Sequence, residues 1–366
     1  MKLKVREICS FLDSTVPLSW QEDYDNSGLQ ILASEAEIDS ALLSLDITED
    51  VVEEAISLGC GLIITHHPLF FRPLKRIAGI SGAERIAASA LRNNISVYSA
   101  HTNLDALHGG VSWKMAEKLM LKNVKVLEPL KGRLLKLVVY VPESHADKVS
   151  GAIFDAGAGV TGNYDRCGFS AKGSGTFRGN ESSDPFVGER GKLHTEDEVR
   201  FETIIPLHLK DAVVDAMLKA HPYEEAAYDL FTLGNEYPGA GFGCVGDLPV
   251  ELTGTAFLLK LSEIFEAKGL RYSGPTGRPV KRVALCGGAG SGLTGSAIRA
   301  GADAYVTGDL KYHDFGNAEG RILLADIGHF ESEKFSAEIL YDLIIKKFPT
   351  FALRFSEKNS NPINYL

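Results

Sequence analysis

A chain of 366 residues, 45% hydrophobic and 23% charged, has a globular balance and enough length for two cores. Its formal net charge of -10, uninterrupted by any Lys/Arg run, repels phosphate backbones and argues against nucleic acid as a partner. Residues 1–20 lack an apolar leader core and no later stretch reaches the roughly 18 unbroken apolar residues of a membrane span, so a cytoplasmic protein with no membrane partner is expected.

From Ala41 the run ALLSLDITED has the pattern of a buried strand, VVEEAISLGC that of a helix, and GLIIT that of a second strand running into His66. ERIAASALRNN and ISVYSA add a helix and a strand, which predicts an α/β fold with a parallel sheet. Near residue 130 the grammar changes. LLKLVVYVP, SHADKVSGAIFDAG, CGFSAKGSGTFRG, EVRFETIIP, DAVVDAMLKAHP and AAYDLFTL follow the βαββαβ order of a ferredoxin-like unit, with a polar Gly/Ser-rich stretch at 179–198. After the turn-rich NEYPGAGFGCVGDLP, strand–helix alternation returns in RVALC, TGSAIRAGA, DAYVTGD and RILLADIG, closed by a helix over about residues 330–347. The predicted architecture is a discontinuous α/β domain, residues 1–130 and 241–366, interrupted by an inserted ferredoxin-like α+β domain, residues 131–240.

Three predicted strand ends carry metal-binding side chains. His66 and His67 follow GLIIT; His101 and Asp105 follow ISVYSA, four residues apart; His329 and Glu333 follow RILLAD at i and i+4, on one face of the last helix. Ligand sites of open α/β sheets form at such carboxyl ends. Taken singly, each cluster has a plain structural reading, as satisfied strand-end histidines, an Asx turn or a helix-capping carboxylate. Together they offer imidazole and carboxylate without thiolate, a donor set suited to Zn, Mn or Fe in an open catalytic site.

Six candidates exceed the needs of one tetrahedral ion, so two divalent ions bridged by Glu333 are expected, with the adjacent imidazoles of His66 and His67 serving different ions unless the turn swings them together. Two such ions against two carboxylates leave a positive surplus that favours a small anionic substrate, and the chemistry they supply is activation of water for hydrolysis. His101, if not a ligand, is placed to carry protons.

Other signals compete. Gly290, Gly292 and Gly295 form a G-x-G-x-x-G array before a helix and Asp309 ends the next strand, as in a dinucleotide fold; a tight turn needing glycine is the plainer account. Asp309 and His313 form another i, i+4 dyad, plainly a solvated helix face or at most a support behind the metal ligands, and Tyr223, Glu224 and Glu225 mark a small-molecule or partner surface in the insert, with solvated charges the plainer account. Cys9, Cys60, Cys167, Cys244 and Cys286, odd in number and without CxxC spacing, are expected to be reduced, buried small hydrophobes.

The motifs ITHHPLFF, SAHTNLD and DIGHFESE, with DNSGLQI and CGGAGSGL, resemble the GTP cyclohydrolase 1 type 2 homolog family, also called Nif-three-like proteins. The resemblance implies a dinuclear centre with His66, His67, Asp105, His329 and Glu333 as metal ligands, His101 lining the site, a toroidal homohexamer, and a PII-like, CutA-like insert from about 131 to 240. It implies a metal-dependent hydrolase of a small anionic or nucleotide-like substrate. The alternative is a metal- or effector-binding regulatory protein in which the insert gates or senses.

Overall fold

The computed structural model describes residues 1–274, 276–358 and 360–366. They fall into two compact units, Met1–Leu130 with Pro238–Leu366, and Lys131–Tyr237.

The first unit opens with helix α1 (Val5–Thr15), which buries Val5, Ile8, Cys9 and Leu12 along one stripe. Strands β1 (Gly28–Ile31), β2 (Ser40–Ser44), β3 (Leu62–Thr65) and β4 (Ser96–Ser99) follow, with helix α2 (Glu49–Leu58) after β2 and helix α3 (Gly82–Arg92) after β3. Thr48 caps α2 by accepting from the Val51 N–H, and Gly59, at φ 67°, ends it. Every residue of β2, β3 and β4 is buried, as expected where helices cover both faces of a parallel sheet. Alternation divides them: Leu43, Ile64 and Tyr98 face one core with α1, whereas Leu42, Ile63 and Val97 face another with α2 and α3.

Helices α4 (Thr102–Asp105) and α5 (Val111–Lys118) lead to strand β5 (Lys122–Lys131). The second unit then supplies β6 (Leu134–Pro142), α6 (Ala146–Asp155), β7 (Gly168–Phe177), β8 (His194–Pro206), α7 (Lys210–Ala220) and β9 (Tyr228–Thr232). Its sheet is antiparallel throughout, in the order β9-β6-β8-β7. Leu135, Leu137, Val139 and Val141 on alternate positions of β6 pack with Val149 and Ile153 of α6 and Val213 and Met217 of α7.

The chain returns to the first unit through β10 (Glu236–Leu252) and helix α8 (Gly254–Phe265), followed by β11 (Arg271–Tyr272), β12 (Val280–Leu285), α9 (Thr294–Arg299), β13 (Ala304–Thr307), β14 (Leu323–Asp326), α10 (His329–Glu333), α11 (Ser336–Lys347) and β15 (Ala352–Phe355). Two sheets result, β15-β2-β3-β4-β1 and β11-β14-β13-β12-β10-β5. The strands from β15 to β4 in the first run parallel, as do β12, β13 and β14 in the second.

Three expectations need correction. The segment read as turn-rich is most of the 17-residue strand β10. Its glycines serve close packing: a Cβ on Gly241 would lie 2.3 Å from the Glu128 carbonyl oxygen and 2.7 Å from the Pro129 Cα of β5. The closing helix is two helices, α10 and α11, separated at Lys334 and Phe335. Of the five free cysteines, Cys167 is only partly buried. Among the described residues no helix is long and apolar enough to cross a membrane.

The Gly241 contact gives a direct check on the long strand. Gly241→Ala is expected to cost about 1–3 kcal/mol of stability, the usual penalty of overpacking, read as a lower urea midpoint. An unchanged midpoint would mean that β5 and β10 do not approach as described.

Candidate metal centre

Within the first unit, the carboxyl ends of β3, β4 and β14 bring all six sequence-predicted side chains around one space. The chain turns immediately after β3: His66 N–H donates to the Leu45 carbonyl at 3.1 Å, His67 N–H to the same oxygen at 3.0 Å, and the His67 carbonyl accepts from Thr65 Oγ1 at 2.7 Å. That turn swings the two rings to the same side, with centroids 5.1 Å apart. They share one group, and each also joins a separate one. His67, His329 and Glu333 form one; His66, Asp105 and Glu333 form a second; His101 completes a third with His66 and His67.

Glu333 divides its two oxygens. Oε2 lies 2.9 Å from His67 Nε2 and 2.9 Å from His329 Nε2, which are themselves 3.2 Å apart. Oε1 lies 3.7 Å from His66 Nε2, and that nitrogen is 3.7 Å from Asp105 Oδ1. His66 Nε2 and Asp105 Oδ1 are buried and make no hydrogen bond. Buried polar atoms are rarely left so, and a divalent ion is a standard reason. Ligands about 2.1 Å from a tetrahedral ion stand about 3.4 Å from one another, and the two sets bracket that spacing. The donor set therefore fits the metal that the sequence implies.

Each imidazole is oriented from behind. His67 Nδ1–H donates to Asp46 Oδ1 at 2.7 Å, His101 Nδ1–H to Asp25 Oδ1 at 2.7 Å, His329 Nδ1–H to Asp309 Oδ2 at 2.8 Å, and His66 Nδ1–H to the Ala100 carbonyl at 2.8 Å. Fixing Nδ1 as the protonated nitrogen leaves Nε2 of all four rings for binding or proton transfer, the usual arrangement behind metal-bound histidine. Asp25 is itself held by Thr102 N–H at 3.0 Å and Ser27 Oγ at 3.0 Å.

Sequence reasoning missed Asp25 and Asp46; it allowed the Asp309 and His313 dyad at most a place behind the metal ligands, and Asp309 takes that place as the partner of His329. Asp46 stands just beyond the end of β2, so the strand-end rule that found His66 could have found it. His313, the other half of that dyad, lies outside the three ligand groups. The glycine loop has local packing reasons at two positions: just before the array, Gly288, at φ +61°, passes so close to Glu333 that a Cβ would sit 2.1 Å from Oε1. A Cβ on Gly290 would meet Thr307 Oγ1 and the Tyr305 hydroxyl at 2.5 Å.

The electrostatics are those of a cation site. Burial opposes charge on His67 and His329, but hydrogen bonds to Asp46 and Glu333 in the first case, and to Glu333 and Asp309 in the second, prevail and lift them to about 10 and about 9. Burial, with Glu333 nearby, raises Asp105 to about 6. Glu333 is held well below the carboxylate range, because the three imidazoles outweigh its burial. The positive surplus inferred from two carboxylates does not survive. Asp25, Asp46 and Asp309 raise the acidic groups to five, against the four charges that two divalent ions would bring, so charge balance gives no preference for an anionic substrate. A cavity of about 570 Å³ adjoins the cluster, with Tyr24, Phe71 and Phe242 among its walls.

Gly288→Ala should leave the fold largely intact, at about 1–2 kcal/mol for the left-handed backbone, yet displace the Glu333 carboxylate and lower bound metal after equilibrium dialysis by at least half. Full metal retention in that variant would contradict the placement of Glu333.

The profile of the Duf34/NIF3 family (NGG1p interacting factor 3) matches residues 3–362. A GTP cyclohydrolase 1 type 2 homolog of Bacillus subtilis (strain 168) is 38% identical over 367 residues, which is 99% of this chain and 98% of that protein. A protein of the same name from Halalkalibacterium halodurans is 42% identical over 298 residues, 81% of this chain and 80% of that one. The crystal structure of a Bacillus cereus protein related to NIF3 has a TM-score of 0.83 at 38% identity, covering 100% of this chain and 99% of the other. With strand-end histidines and carboxylates gathered as described, and similarity running along its whole length, the chain belongs to the Duf34/NIF3 family.

Proposed function

We propose that the protein is a metal-dependent hydrolase of a small molecule, with a dinuclear centre held by His66, His67, Asp105, His329 and Glu333. The observation that carries this reading is the division of the Glu333 oxygens between two ligand sets, one of which contains two buried polar atoms with no hydrogen bond. Bound divalent ions supply Lewis acidity and activation of water near neutral pH. His101, tied through Nδ1 to Asp25, keeps Nε2 for proton transfer: it takes the proton from the attacking water and returns it to the leaving group as the scissile bond breaks. Tyr24, Phe71 and Phe242 supply apolar surface against which a small substrate packs. The 131–237 unit is read as a ferredoxin-like insert of the PII-like kind, on the strength of its βαββαβ succession and its sheet order.

The test is a hydrolysis screen of amide-like, ester and phosphate compounds, GTP among them because the relatives' name points to it. Turnover is expected to disappear on chelation, to return with Zn, Mn or Fe, and to fall at least about 100-fold in His67→Ala and Glu333→Ala with the circular dichroism spectrum unchanged. Activity that survives both substitutions sinks the reading. Metal uptake without turnover of any compound favours the regulatory alternative, which the separate cavity in the 131–237 unit supports.

A further inference from the structure

The second unit carries an open-mouthed cavity of about 630 Å³, inside the range of about 300–1,000 Å³ usual for small-molecule sites. It lies on the sheet face that α6 and α7 leave uncovered. Residues 178–193 fold over that face, shaped by internal hydrogen bonds such as Gly191 N–H to the Gly179 carbonyl and Ser183 Oγ to the Asn180 carbonyl, both at 2.8 Å, and tied to Glu224 by Asp184 N–H, which donates to its Oε1 at 2.8 Å.

The lining combines aromatic rings with a carboxylate. Phe177 and Tyr223 have centroids 5.7 Å apart at 59°, and Phe186 and Tyr223 6.2 Å apart at 46°, so the rings tilt around the space without stacking flat on one another. Tyr140 adds a fourth. The floor is bare strand: Gly173 and Gly175 of β7 stand opposite Glu198 and Glu196 of β8. A Cβ on Gly175 would come within 2.0 Å of Glu198 Oε2, so the Glu198 carboxylate lies directly over that floor, and the Tyr223 hydroxyl donates to its Oε1 at 3.1 Å.

Charge decides what fits. Two of the cavity's cations are neutralised by acids outside it, Lys172 by Glu143 and Arg200 by Glu202 at 2.9 Å. Arg178 has no ion pair among the described residues, and neither have Glu198, Glu224 and Glu225, whose recorded hydrogen bonds are the neutral donors of Tyr223 to Glu198 and of Asp184 N–H to Glu224. Three carboxylates against one guanidinium leave the space negative. Aromatic faces carry negative quadrupole potential and add to that preference.

We infer that this cavity binds a small organic cation of the alkylammonium or aryl-ammonium class, its charge beside Glu198 and its apolar body against Phe177, Phe186 and Tyr223. The inference does not depend on the metal centre, and its test uses the full chain with metal content held constant. Isothermal titration calorimetry with benzyltrimethylammonium, benzyl alcohol and benzenesulfonate separates cation, neutral and anion on one aromatic body. Saturable one-site binding of the cation is expected, at least about tenfold tighter than either other probe. Glu198→Gln should weaken the cation about tenfold and leave benzyl alcohol unchanged, Tyr223→Leu should weaken it about fivefold, and Tyr223→Phe should stay within about twofold. Absence of saturable cation binding to the unaltered protein overturns the inference, as does tighter binding of benzenesulfonate, which would assign the site to Arg178. Since the three-probe order needs no variant, a Glu198→Gln protein that fails to fold leaves the decision intact.

Discussion

Glu333 is the group on which the site depends. Its carboxylate is buried, its Oε2 is shared by two imidazole nitrogens at 2.9 Å, and its Oε1 faces His66. A carboxylate placed so deep is costly unless positive charge answers it. In this protein three histidines, delivered from the ends of β3 and β14, surround it. The neighbouring chain is shaped for that position: Gly288 accepts a left-handed backbone so that Glu333 has room, its N–H donates to Ser332 Oγ at 2.9 Å, and its carbonyl accepts from Gly308 N–H at 2.8 Å. Three strand ends and one glycine loop converge on one acid.

The supporting network gives the imidazoles their direction. Asp25, Asp46 and Asp309 each accept a hydrogen bond from an Nδ1–H, and the Ala100 carbonyl accepts the fourth. Without them four histidines around one space would be free to rotate or change tautomer, and the Nε2 atoms would not converge. The same three acids change the net charge of the site, so the feature that orders the rings also removes the reason to expect an anion.

Much of this was legible in the sequence, and the reasons are local. The continuous apolar runs ALLSL, GLIIT and ISVYS announce buried parallel strands, and the polar residues that end them are conspicuous by contrast. His329 and Glu333 share a helix face by their spacing alone. What failed to show was non-local. Asp25 is paired with a histidine 76 residues away and Asp46 with one 21 residues away, separations that no periodicity reports. Gly241 and Gly246 looked like turn residues because a glycine required by a passing strand and a glycine required by a turn are identical in sequence; the approach of the Glu128 carbonyl to the first, 2.3 Å from a Cβ placed there, and of the Lys122 carbonyl to the second, 3.0 Å, distinguishes them.

The proposal that Glu333 would serve two ions meets its most direct test in anomalous scattering from crystals of metal-replete protein. The account predicts two peaks per chain flanking the Glu333 carboxylate, one beside His67 and His329 and the other beside His66 and Asp105. A single peak, or peaks that do not touch Glu333, would contradict it.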